Sequence, residues 1–493
     1  LAYRLVFVYN HIQSLRHERF THLVEGWMSN SKRTKAKFID DVQVTNDCLT
    51  SRAGLNLFAR YIRGIGLFPH INRLFGSMRK NPKGTPIDEL FKQVLCFLFD
   101  GTSRHLAHFD VLAKDPGYAA AIETDINGMA SSHTVKRFYQ AFSAQRTYLF
   151  RRLLQHLFLW RLNLSRPEVI ELNIDTMVMD NDQAPKRDGV KPTYKKVLGF
   201  QPLQMTWGRY IIDAVFRGGD KHSLNGDSAP NMIRHVVRMI RTRYSETVPI
   251  VIRMDSGFFD QDLFAEMERL NIGFICAGKF YGDIKDMIGS LPETVFQHHF
   301  GKTDEDVWQC FEFSDRRKSW AKSYRAIFWR PLLEEKQFLL PGSRPGTIVY
   351  TNLGMGGVVD QLLREAGREF MTETDAIIHS YHQRGADELV HRAFKDFGFE
   401  ELPFQRFVPN AAFYYTMLLG FFLFEAFKED VSEPVVPVKA FPTTLRRRLV
   451  DVAAKVVSHA GKTVLKVTAA TMDSLRFKEL WERCLSAPKF VWA

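Results

Sequence analysis

A chain of 493 residues, 45% hydrophobic and 25% charged, is long enough for several packed units and has the balance of a globular protein. Its net charge of +12 and pI of about 9.3 favour a polyanionic partner. Five cysteines far apart, with no CxxC pair, exclude a zinc finger or disulfide framework and point to a reducing compartment. The start, LAYRLVFVYN, has no charged stretch before a long apolar core, so no signal peptide is expected. The most apolar run, AAFYYTMLLGFFLF at 411–424, is shorter than the ~20 residues of a membrane span and reads as a buried helix. No membrane contact is expected.

Residues 1–50 read as a basic lead-in, with Lys32, Arg33, Lys35 and Lys37 clustered. Residues 51–165 read as an all-α domain. Leu55, Phe58, Ala59 and Ile62 keep the i, i+3, i+4, i+7 rule. Thr85 is placed to cap the next helix, with Pro86 at its first position and Asp88 and Glu89 at its positive end. Asn127-Gly128 makes a turn, and Ser131 or Ser132 caps a helix through HTVKRFYQAF. That arrangement is similar to a helix-turn-helix reader of DNA, with Lys136 and Arg137 as its candidate DNA contacts.

After Pro167 the period changes from 3.6 to 2. In VIELNIDTMVM, Ile170, Leu172 and Ile174 alternate with Glu171, Asn173 and Asp175, so Asp175 stands near a strand end. Residues 196–207 and 209–216 flank Gly208 as two meander strands, and 230–243 is an amphipathic helix. In PIVIRMDSGFF a strand ends at Asp255. A helix over 260–270 and a strand over 272–277 then complete a strand-helix-strand unit. Three meandering strands, a helix and then parallel strands is the order of a ribonuclease-H-like fold, with its first part at 166–279. Residues 280–345, rich in aromatics such as Trp308, Phe311, Trp320 and Trp329, read as a β-rich insertion subdomain. The core resumes at 346–430 with a strand over 347–352, and 431–493 reads as a Pro-marked linker and a basic helical region.

Residues 374–397 contain no Pro and one interior Gly, enough for about six helical turns. At ~100° per residue, Tyr381, Arg384, Glu388 and Lys395 share a wedge of roughly 60° opposite the apolar positions. Such a stripe suits a negatively charged ligand that also needs a metal. Two aspartates at strand ends and a glutamate on a later helix can hold hard cations such as Mg²⁺, and two such ions can clamp both oxygens of a phosphodiester displacement. Asp180, Asp182 and Asp387 are nearby acids expected to be solvated, and Glu171 and Asn173 are expected to be supporting polar groups.

The chain resembles bacterial insertion-sequence DDE transposases of the superfamily marked by Tyr-x2-Arg-x3-Glu-x6-Lys, and is most similar to its thirteen-eighty group. Tyr381, Arg384, Glu388 and Lys395 match that spacing, and ELNIDTMVM, IVIRMDSGFF, VLAKDP, SSHTVKRF and PNAAFYYTMLLGFFLF support it, over roughly residues 50–470. The resemblance implies an α/β fold with a ribonuclease-H-like (retroviral-integrase-like) catalytic core interrupted by a β-rich insertion, an all-α N-terminal domain and a helical C-terminal tail. It implies Asp175, Asp255 and Glu388 as the catalytic, metal-binding triad, served by two Mg²⁺ ions with Mn²⁺ as a substitute. Tyr381, Arg384 and Lys395 would hold the DNA strand; Trp308, Trp320 and Trp329 of the insertion read first as core residues, with stacking on a flipped base near the cut as the alternative. The implied reaction is cut-and-paste transposition: two-metal hydrolysis at terminal inverted repeats, then strand transfer into target DNA. A homodimer would work on double-stranded DNA in the bacterial cytoplasm, associated with the nucleoid. The alternatives are a ribonuclease-H-like nuclease or resolvase without strand transfer, and a non-catalytic DNA-binding descendant.

Overall fold

The computed structural model describes residues 39–78, 84–224, 226, 228–300, 307–332 and 346–492. The basic cluster from Lys32 to Lys37 lies outside them. The chain divides into two units, Leu1–Asp47 and Cys48–Ala493, and the sheet and the site belong to the second.

Helices of eight residues or more are numbered. Those before the sheet are α1 (Leu55–Gly64), α2 (Leu67–Phe75), α3 (Ile87–Asp100), α4 (Ser132–Gln140) and α5 (Ala144–Ser165). Ser131 caps α4 by accepting the Thr134 N–H, as its sequence predicts. Thr85 does not cap α3: Pro86 takes the cap position itself, with no side-chain hydrogen bond.

A nine-stranded mixed sheet follows. Its members are β2 (Ile170–Thr176), β6 (Leu203–Trp207), β7 (Tyr210–Val215), β8 (Ile250–Met254), β9 (Gly273–Ala277), β10 (Gln297–Phe300), β11 (Val307–Asp315), β12 (Tyr324–Pro331) and β13 (Thr347–Thr351). Their spatial order is β10-β11-β12-β13-β9-β8-β2-β6-β7. Only β2–β8 and β8–β9 are parallel, with Ile174 opposite Met254 and Met254 opposite Cys276. Helices α6 (Ser228–Arg243) and α7 (Gln261–Arg269) make these crossovers. The segment expected as one strand over 196–207 begins only after Lys196, which has φ +61°, and breaks at Gln201-Pro202, between β5 and β6. It gives β5 (Leu198–Phe200), which joins β3 (Met179–Asp180) and β4 (Lys191–Pro192) in a small separate sheet.

The aromatic-rich residues of 280–345 form α8 (Gly282–Ser290) and then β10 to β12, which continue the central sheet from β13 instead of closing a sheet of their own. Edge pairing explains this, because β13 presents its open side to β12 from Trp329 to Arg325.

After β13 come α9 (Val358–Glu365), α10 (Thr374–Gln383), α11 (Gly385–Phe397) and α12 (Phe407–Phe427). The single helix expected over 374–397 is therefore two, meeting at Arg384–Gly385, where glycine gives the weakest helical propensity of the stretch. Helix α12 is apolar all round and buried from Pro409 to Phe427, as a central helix must be. By length alone Phe407–Ser432 could cross a membrane, yet 89% of its apolar window is buried in the fold. Gly420 lets α11 come close: a Cβ there would stand 3.2 Å from the Phe397 ring.

The C-terminal region, expected to be helical, also holds a hairpin of β14 (Ala454–His459) and β15 (Lys462–Lys466), paired to β1 (Cys48–Thr50). Its two-residue turn, Ala460-Gly461, has φ +48° and +72°, which matches the right-handed strand twist. Helix α13 (Phe477–Ser486) packs back on α1.

Candidate active site

Parallel strands β2 and β8 are neighbours in register, so chain that leaves both at the same end comes together there. Asp175 is the penultimate residue of β2, and its Oδ1 accepts the Thr176 N–H at 2.7 Å. Asp255 directly follows β8 and caps a tight turn, accepting the Gly257 N–H at 2.9 Å. A side chain at 257 would be crowded: a Cβ would lie 2.6 Å from Ser223 Oγ and 3.0 Å from Asp255 Oδ1.

Between the two carboxylates stands the guanidinium of Arg384, at the α10–α11 junction. Its Nη2 is 3.5 Å from Asp175 Oδ2 and 3.9 Å from Asp255 Oδ2. Glu388, one turn further on α11, is exposed and adds its negative charge to the field at Asp175. Burial, only partly offset by Arg384, pushes the Asp175 carboxyl above the usual carboxylate range. For Asp255 burial comes first and repulsion from Asp175 second, again upward. Among the described residues no three carboxylate, imidazole or thiol groups already stand at metal-ligating spacing.

The remaining expected residues are dispersed. Tyr381 is half-buried, its ring edge-on to Trp329 at 5.7 Å. Lys395 pairs with Glu400 at 2.6 Å. Lys136 and Arg137 are exposed on α4. Of the insertion's tryptophans, Trp320 and Trp329 are buried, in keeping with their reading as core residues. Trp308 packs against His382. Asp182 Oδ1 accepts the Leu198 N–H and Asp180 Oδ1 the Asp182 N–H, so both acids serve the small sheet. The side chain of Asp387 lies outside those described.

Three features were not anticipated. His391, on α11, has Nδ1 3.9 Å from Asp175 Oδ2. Burial, then Lys395 and Arg384, push it down to about 4, so it is neutral at pH 7. Its seven-residue step from Arg384 is two helical turns, a spacing the sequence does display. Second, the β4–β5 hairpin carries Tyr194, 54% exposed, and Lys195, both within electrostatic reach of Asp175. After burial, the charges of Asp175, Asp255 and Glu388 are what raise its phenol. Third, a latch docks α10 on the sheet: Arg253 donates to Asn173 Oδ1 at 2.6 Å and to the Ser380 carbonyl at 3.0 Å, and Ser380 Oγ donates to Glu171 at 3.0 Å. Glu171 and Asn173 thus support the helix that ends at Arg384. A hollow of about 1040 Å³, lined by Glu168, His299, Trp308 and His379, lies at the opposite end of β2.

The family profile described as "Transposase DDE domain group 1" matches residues 35–488. No curated protein matches this chain in sequence. Among solved structures, the chain shares 13% identity with the piggyBac transposase in a cryo-EM synaptic complex with hairpin DNA, over 80% of this chain and 79% of that one, with a TM-score of 0.34. With its matched residues spanning nearly all of the sequence, this chain belongs to the transposase DDE domain group 1 family.

Proposed function

We propose that this transposase cuts and transfers DNA at the ends of its own insertion sequence, with Asp175, Asp255 and Glu388 as the catalytic carboxylates on a ribonuclease-H-like core. The observation that carries the reading is the convergence of two strand-end aspartates on Arg384, with Glu388 one turn away. The donor set fits a divalent cation: it is all carboxylate oxygen, and both aspartates are raised because nothing fully offsets their burial and mutual repulsion. Mg²⁺ held by these three residues would supply Lewis acidity and an activated water for phosphodiester hydrolysis.

The chain's own residues do the rest. Arg384 presents a two-pronged donor suited to a phosphodiester and sits where the strand must pass. Tyr194 and Lys195 offer an exposed ring and a charge on the other bank of the cleft, suited to the base and phosphate beside the cut. Neutral His391 lines the Asp175 side without adding charge. Lys395, Tyr381, Lys136 and Arg137 belong to the same reading as flanking DNA contacts.

The test is direct. Purified protein with Mg²⁺ is expected to cleave duplexes carrying the inverted repeats that flank its gene, and to join pre-cut 3′ ends to a plasmid. Asp255→Asn or Glu388→Gln should remove both activities without unfolding the protein. Cleavage without joining would replace the reading by a nuclease, and folded Asp255→Asn protein that still cleaves would refute the triad. The protein–DNA complex is expected to have the mass of two chains.

A further inference from the structure

At the β7 edge of the sheet, α5 and α6 lie side by side, and between them runs a groove of about 760 Å³. Arg151, Arg152, His156, His235, Arg238 and Arg243 line it, and no carboxylate does. Arg152, Arg238 and Arg243 are exposed, and among the described residues none of them has a carboxylate at ion-pair distance. The acid at the floor, Asp213, is fully buried and taken up by Arg151, whose Nε and Nη2 each donate at 2.7 Å, and by Gln155 at 3.1 Å.

A fifth guanidinium joins from α2. Arg73 stands 4.2 Å over the Trp492 ring, Arg152 lies 5.5 Å from that ring, and His156 stacks on it at 3.9 Å. His156 feels this crowd: burial first, then Arg152, Arg243 and Arg73, push it down to about 4. Like charges gathered without counter-charges repel, so the arrangement is unfavourable unless an anion completes it.

Strand register places the groove apart from the cleft. Asp175 pairs with Gln204 and Gln204 with Ala214, so these share one face; Ile174, Met205 and Asp213 share the other. The strand held at Asp175 therefore does not run over Asp213.

We propose that the α5–α6 groove binds the phosphate backbone of a second stretch of duplex DNA, separate from the strand in the catalytic cleft. The choice of DNA as the polyanion rests on the transposase reading. Contacts from Arg152, Arg238 and Arg243 to phosphates carry no sequence information, so binding there is independent of sequence and steep in salt.

The experiment measures affinity of the full chain for a fluorescent duplex of arbitrary sequence, in EDTA, as a function of salt. Arg152→Glu/Arg238→Glu/Arg243→Glu is expected to lower the slope of log K against log salt by about 2 to 3, and Arg238→Ala alone by about 0.9. If the triple variant unfolds, Arg238→Ala and Arg243→Gln decide. Folded variants with the wild-type slope overturn the groove. The two readings fail separately. Loss of slope in a protein that cleaves no ends keeps the groove and removes the catalytic reading, whereas cleavage of ends with an unchanged slope does the reverse.

Discussion

Two aspartate–arginine arrangements stand on the same sheet, two strands apart, and they are satisfied to different degrees. Asp213 on β7 accepts both prongs of Arg151 at 2.7 Å, Gln155 at 3.1 Å and the Ala214 N–H at 2.8 Å. Asp175 on β2 accepts the Thr176 N–H, while Arg384 stays 3.5 Å away and is shared with Asp255 at 3.9 Å. The first is a closed fork with no oxygen left over; the second leaves lone pairs open and two carboxyls raised above their usual range. Residue types are the same in both places. What separates a structural pair from a site is how completely the carboxylate is used, because only an unsatisfied one can exchange a partner for a ligand.

The comparison can be broken most sharply at the open site. Asp175→Asn is expected to lower cleavage of DNA ends by several orders of magnitude with the fold intact, measured by gel assay beside circular dichroism. The opposite signature belongs to the closed pair. Asp213→Ala strands the half-buried Arg151 charge and is expected to cost about 3–5 kcal/mol, read from urea midpoints. If Asp213→Ala lost cleavage with no loss of stability, the distinction between the two arrangements would collapse.

Smaller effects sharpen it. Arg253→Lys removes the fork that joins Asn173 to the Ser380 carbonyl. It should cost roughly 1–2 kcal/mol of stability and slow cleavage about tenfold as Arg384 loses its seating. Stability lost without any change in rate would mean that the latch does not position Arg384.

The smallest effect is on pH-dependent stability. Asp255 has its folded pKa raised, so the folded state is favoured below the ordinary Asp value and loses stability as pH rises through the raised one. Asp255→Asn should therefore melt higher than wild type at pH 7, with the difference vanishing below roughly pH 4. Mg²⁺ should raise the wild-type midpoint and EDTA reverse it, with little of either in the Asn variant. Equal midpoints at both pH values would show that the carboxylate bears no such penalty.

Much of the candidate site could be read before folding. The period-2 run ending at Asp175 and the apolar strand ending at Asp255 appear as β2 and β8, and Ser131 caps α4. His391 was visible in principle, since it repeats the Arg384 position two turns on. The β14–β15 hairpin hid because its turn is Ala-Gly rather than the usual Asn-Gly, leaving only weak alternation on an exposed pair of strands. Tyr194 was not readable at all: its place within electrostatic reach of the carboxylates depends on β3 pairing with β5, a contact between two- and three-residue strands too short to carry a period.

The sequence by itself determined the carboxylates, their strand-end and helical positions, and the apolar α12 that must be buried, because period, capping and composition act over a few residues. Tertiary structure alone decided which aspartate stays open and which is closed. Arg384 reaches Asp175 across 209 residues only because α11 packs on α12 through Phe397 and Gly420, and because Arg253 fastens α10 to β2 and β8. Pairing at that range is set by how faces pack, and no local pattern encodes it.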